Sequence, residues 1–127
     1  MLLSASEVLN IKSDFIPGIA SALGAGMCLR GEMCGIANGG LMIIGLLFGR
    51  RDFGDSNEIS YYAGARFLEK FHEIKGTFSC SDITGLNFTD DNSDMLWHTQ
   101  LLHTTCAPLL VQSLKILSEI LDELPER

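Results

Sequence analysis

Gly24-Ala25-Gly26-Met27-Cys28-Leu29-Arg30-Gly31-Glu32-Met33-Cys34-Gly35-Ile36-Ala37-Asn38-Gly39-Gly40 is the stretch from which the rest of the chain is read. Six glycines and two cysteines fall within its seventeen residues. Glycine reaches backbone conformations closed to other residues, so this density predicts a backbone drawn tightly around a thiol. Cys34 is the centre. It follows the loop-like Arg30-Gly31-Glu32 and precedes an apolar run, Ile36 to Phe48, that reads as a helix. A thiol at that junction sits at the positive end of a helix dipole, which favours thiolate.

Upstream, Met1 to Ile11 reads as the end of a helix. Leu2, Leu3, Ala5, Val8 and Leu9 form its apolar face. Ser13 and Asp14 are candidate caps for a short helix over Phe15 to Leu23, with Pro17 in its first turn. Downstream, the central helix closes at Gly49. Gly35, Gly39, Gly45 and Gly49 predict smooth patches along it, suited to close packing against another helix or a cofactor. Ser56 is expected to cap a helix to Lys75, with Ile59, Tyr62, Ala63, Phe67, Phe71 and Ile74 at helical spacing and Gly76 as its stop. Ser79 caps a short helix ending at Gly85, with Asp82 three residues on. Leu86 to Ser93 reads as an acidic loop and Met95 to His103 as a helix in which Trp97 packs. Thr104 or Thr105 then caps the last helix, with Pro108 in its first turn. Leu110, Leu114, Leu117, Leu121 and Leu124 form its inward stripe. No stretch alternates with period two. The expectation is an all-α fold, an irregular bundle of five or six helices. Residues 1–127 are expected to form a single helical domain that starts inside its first helix.

The 127 residues suffice for one core. A net charge of −7 argues against nucleic acid, whose phosphates need a basic surface. Met1 to Lys12 has no basic n-region. The apolar run at Ile36 is shorter than the roughly 20 residues that span a bilayer. A cytoplasmic protein without a transmembrane segment follows, and in that compartment cysteines are reduced, metal-bound or redox-active.

Gly24-Ala25-Gly26-Met27, Gly31-Glu32-Met33-Cys34-Gly35-Ile36, Gly39-Gly40-Leu41-Met42 and Gly45-Leu46-Leu47-Phe48-Gly49 together resemble the signature of the C-GCAxxG-C-C family. The likeness runs from about Phe15 to the last helix. It implies a small helical fold and thiol-based redox chemistry. The family's glycine-motif cysteine corresponds to Cys34 and its two late cysteines to Cys80 and Cys106, and the resemblance implies that the three converge. Two departures stand out: no cysteine precedes Cys28, where the family has an early one, and Cys28 occupies a family glycine slot.

Read from the residues, Cys34, Cys80 and Cys106 each fall at or just before an expected helix start, a setting that lowers a thiol's pKa. Packing as small hydrophobes is the plain alternative. Cys28 either resolves Cys34 across the loop or fills the glycine slot. His103, three residues before Cys106, and His98, five before His103, are candidate ligands or bases near the thiol, with surface or satisfied core groups as the plain alternative; His72 reads as a solvated surface group. No Cys-x-x-Cys occurs, so zinc-ribbon spacing is absent, as are c-type haem and ferredoxin runs. Gly24-x-Gly26 does not continue into a phosphate loop. Three readings remain: a thiol redox protein acting through Cys34, Cys80 and Cys106 on an unnamed redox or electron-transfer partner; the same thiols holding zinc or an iron–sulfur cluster; or a helical interaction module with structural cysteines, in which a homo-oligomer remains open. The three cysteines are expected around one partly enclosed pocket, with Gly31, Gly35 and Gly39 approaching it through their backbones.

Overall fold

Apolar side chains at helical spacing dictate helices here. The computed structural model, which describes residues 1–125, forms them in the expected order. The helices are α1 (Leu2–Val8), α2 (Gly35–Phe48), α3 (Glu58–Lys75), α4 (Cys80–Thr84), α5 (Ser93–Leu96) and α6 (Ala107–Asp122). A 3-10 segment, Gly18–Leu23, lies between α1 and α2, and a π segment, Trp97–Cys106, joins α5 to α6. The fold is all-α, with six α-helices and no strand among the described residues.

Helix α2 is the shared partner: it packs on α1, α3 and α6. Ala37, Ile43 and Ile44 from α2 meet Ala63, Phe67 and Phe71 from α3 and Leu109, Leu117 and Ile120 from α6 in one buried core. Each large side chain so buried stabilises by roughly 1.5–3 kcal/mol. The glycines of α2 let neighbours come close. Gly40 lies directly under the Phe67 ring, and a Cβ at Gly39 would sit 2.8 Å from the Met1 Cβ. Gly45, by contrast, faces open space, so the expected smooth patch does not extend that far. Arg66–Glu123 and Lys70–Glu119 ion pairs tie α3 to the end of α6. No helix among the described residues is long and apolar enough to cross a membrane.

Several expectations change. The short helix before the glycine loop is a 3-10 turn that begins only at Gly18, and Pro17 precedes it. Asn57, one residue beyond Ser56, is the first flanking residue of α3. Ile59, Tyr62 and Ile74 on α3 stay largely exposed. In α6 the fully buried face is Leu109, Ser113, Ile116, Leu117 and Ile120, so of the leucine stripe only Leu117 is central. The last two helices are not separate. Helical backbone runs without a break from Ser93 to Asp122, and neither Thr104 nor Thr105 caps anything. The Thr104 hydroxyl donates to the Gln100 carbonyl at 3.0 Å instead, as Thr99 does to Met95 at 2.7 Å. Such back-bonding keeps a threonine inside a helix.

The loop before α2 is the costliest backbone in the chain. Ala25, Gly26, Met27, Cys28 and Leu29 are consecutive left-handed residues, with φ of 49°, 71°, 64°, 55° and 61°. Four of the five carry side chains, at roughly 1–2 kcal/mol each. Wide bonds hold the coil: Cys28 N–H to Ala22 O at 3.0 Å, Gly31 N–H to Ala25 O at 3.2 Å and Glu32 N–H to Gly26 O at 2.9 Å.

Two substitutions on α2 should move stability in opposite directions. Gly45→Ala adds a methyl in open space and should stabilise by about 1 kcal/mol. Gly40→Ala drives a methyl into the Phe67 ring and should cost about 1–3 kcal/mol. Urea unfolding of the two variants checks this; equal midpoints would contradict it. On the loop, Cys28→Gly relieves left-handed strain of about 1 kcal/mol, partly offset by unfolded-state entropy. It should be neutral or mildly stabilising, and a clear loss of thermal stability would show that the Cys28 side chain holds the coil.

Candidate functional site

Two distant segments meet where the glycine loop enters α2. Met33 and Ser79 form an isolated antiparallel bridge. Cys34 N–H donates to Phe78 O at 2.8 Å, Cys80 N–H to Glu32 O at 2.7 Å and Ser81 N–H to Gly31 O at 3.0 Å. The pairing makes Cys34 and Cys80 diagonal neighbours on one side, an arrangement with Cα atoms roughly 7–8 Å apart. Cys34 is the flanking residue of α2 and its carbonyl accepts from Asn38 N–H at 3.1 Å. Cys80 opens α4, whose start is capped by Ser79 Oγ accepting from Asp82 N–H at 3.2 Å. Gly26 is needed here for its bare backbone: a Cβ would fall 2.6 Å from the Cys80 Cβ.

Cys106 reaches the same place through the π segment. Trp97, Leu102 and Cys106 stand at positions i, i+5 and i+9. In an α-helix of 3.6 residues per turn, nine residues end about half a turn out of phase. In a π-helix, with about 4.4 residues per turn, they complete roughly two turns. All three residues accordingly line one cavity of about 500 Å³, together with Cys34 and Cys80. Cys106 is in mid-helix rather than at a helix start, which corrects the expectation from sequence.

Burial, not the helix dipole, governs two of the thiols. Desolvation pushes Cys80 up to about 12, with the charges of Cys34 and Cys106 adding to the shift. Cys106 is also raised, first by burial and then by Cys34, while the Trp97 indole and Lys75 pull it down. The depressed pKa values expected for these two cysteines are therefore reversed. A helix of five residues and a mid-helix position supply too little dipole to offset desolvation. A Coulombic effect of Cys34 adds to the upward shift at both other thiols. The Met1 α-amino group feels it too, though burial dominates there and lowers that pKa. The Trp97 Nε1 is buried and completes no hydrogen bond. It lies near enough to Cys106 to favour the thiolate, in a contact too loose to count as a full bond.

Of the supporting residues named from sequence, Gly35, Gly39 and His103 line the cavity. Gly31 and Cys28 lie outside its lining. Gly31 acts behind it, accepting from Ser79 Oγ at 3.4 Å, with no room for a side chain against Ser81. Cys28 is exposed on the left-handed coil, its thiol donating to Ala22 O at 3.4 Å. His98 pairs with Asp94 at 3.3 Å, and the His72 ring packs on Phe78 at 5.4 Å. All four cysteines are free. Among the described residues, no three His, Cys, Asp or Glu side chains are placed to hold one metal ion. Trp97 and Leu102 were not singled out as site residues by sequence reasoning. Their only signal is the i, i+5, i+9 spacing, which shares a face in a π-helix alone.

A family model described as "Putative redox-active protein (C_GCAxxG_C_C)" matches residues 1–120. No match to the chain is found among curated proteins or among solved structures.

Trp97→Phe keeps the ring and removes the indole N–H. It should raise the Cys106 thiol pKa further, so that its pH profile of alkylation by iodoacetamide moves to higher pH. The Cys80 profile should move less, because burial is its largest cause and Cys106 its smallest. Unchanged profiles for both cysteines would show that the indole does not act on Cys106.

Proposed function

The chain belongs to the C_GCAxxG_C_C family, and on that premise we propose that it is a thiol-based redox protein in which Cys34 forms a reversible disulfide with Cys80 or Cys106. The observation that carries this reading is the convergence of the three thiols on one cavity, two of them as diagonal neighbours across a backbone bridge. A disulfide needs Cα atoms within roughly 7 Å, close to the usual spacing of diagonal neighbours across a bridge. In the step, two thiols lose two protons and two electrons to an acceptor and one S–S bond forms.

We assign Cys34 the attacking role because it stands at the start of the long helix α2, whereas burial raises both Cys80 and Cys106. The raised pKa values of Cys80 and Cys106 suit resolving thiols. Burial keeps them protonated until the first bond is made, and conversion of Cys34 to a neutral mixed species removes the smaller, repulsive part of the shift. Free thiols of this kind belong in a reducing compartment such as the cytoplasm. The thiolate-metal alternative gains no support from the geometry of the ligand set.

Mass spectrometry after stoichiometric peroxide, with alkylation before and after reduction, tests the proposal. Cys34 should appear in a disulfide with Cys80 or Cys106, and Cys34→Ser should abolish it while Cys28→Ser leaves it intact. Cys34 recovered wholly alkylated, with neither a disulfide nor a sulfenic acid, would overturn the redox role.

A further inference from the structure

The walls of the thiol cavity show what it is built to take. Its volume of about 500 Å³ lies within the range of small-molecule sites. Leu3, Pro17, Leu23, Ile36, Leu102 and Leu110 supply much of its surface. No Lys, Arg, Asp or Glu lines it. Besides the three thiols, His103 is the titratable side chain in the lining, and Lys75 acts on Cys106 as the last and smallest influence on that thiol. The chain as a whole carries a net charge of −7.

This lining rejects whole classes of thiol reactant. A charged peptide disulfide brings carboxylates that need basic partners, and a nucleotide brings phosphates that need more. Neither finds a guanidinium or an ammonium among the lining side chains. An extended protein segment would use a groove with free backbone edges, whereas the bridging backbone at Met33 and Ser79 is already paired within the chain. A neutral apolar molecule loses nothing by leaving water and gains contact with both aliphatic walls and the Trp97 ring.

We propose that the cavity binds a small, uncharged, predominantly apolar molecule, held against Cys34, Cys80 and Cys106, as the substrate or ligand class of this site. The inference rests on the thiol reading for its relevance to redox chemistry, but it is tested apart from it.

The probes are 2-methoxynaphthalene and, as a charged analogue of similar size, 2-naphthoate. Equilibrium dialysis is run on the whole chain under full reduction, so that no disulfide chemistry enters. The neutral probe should bind saturably at one site and at least tenfold more tightly than the anion. Ala107→Phe narrows the cavity from α6 and should weaken neutral binding at least tenfold. Ala20→Phe does the same from the 3-10 segment, so that one folded variant suffices. Helical content and thermal unfolding are recorded for each variant. Equal affinity for the two probes, preference for the anion, absence of saturable binding, or indifference of the folded variants would overturn the inference. If binding fails while Cys34 still forms its disulfide under peroxide, the ligand class is wrong and the redox reading stands. If binding succeeds and Cys34 proves inert, the reverse holds.

Discussion

Three backbone hydrogen bonds between residues 31–34 and 78–81 are the constraint on which the site depends. They join the entrance of α2 to the entrance of α4, segments more than forty residues apart in the chain. Helices alone do not bring those ends together, because ridge-and-groove packing leaves helices free to slide by a turn. Backbone bonds do not slide. The bridge therefore sets the relation of Cys34 to Cys80 more tightly than side-chain packing does. The strained coil at Ala25–Leu29 becomes intelligible beside it: the chain accepts an expensive conformation and Met33 then arrives in place to pair with Ser79.

The electrostatics of the site follow from depth more than from direction. Helix starts favour thiolate, and sequence places Cys34 and Cys80 at such starts. Yet α4 is short, its first residue is buried, and two other thiols crowd it. Three thiols in an apolar cavity cannot all ionise together, for the same reason that two carboxylates sharing a site cannot. Repulsion between neighbouring thiols adds to a shift that burial has already set.

Local chemistry was legible in the sequence. Ser79 caps α4 because the hydroxyl need reach only three residues, and Gly76 and Gly85 end their helices in left-handed conformations where the chain leads one to expect them. The all-α fold and the helix of Ile36 to Phe48 followed from apolar spacing. The resemblance supplied the trio of cysteines, which spacing alone leaves unrelated. Other features were hidden for identifiable reasons. Thr104, Thr105 and Pro108 carry the chemistry of a helix start, yet the Thr104 hydroxyl turns back on the helix instead. Cys28 and Leu29 conceal a left-handed coil, since only glycine advertises that conformation. The thiol pKa directions depend on burial, which is decided by elements that meet only in three dimensions.

The π segment makes chain length a chemical variable. Trp97 and Cys106 share a face because the ten residues from one to the other are wound wide. Rewound as an α-helix, the same residues would carry Cys106 to the far side of the rod, away from its two companions. What matters across Thr99, Gln100 and Leu101 is therefore their count rather than their identity. The segment resembles a gear whose tooth number sets the phase between two wheels. Removing one residue there would disturb the thiol site more than replacing several, although no side chain of the site would have been touched.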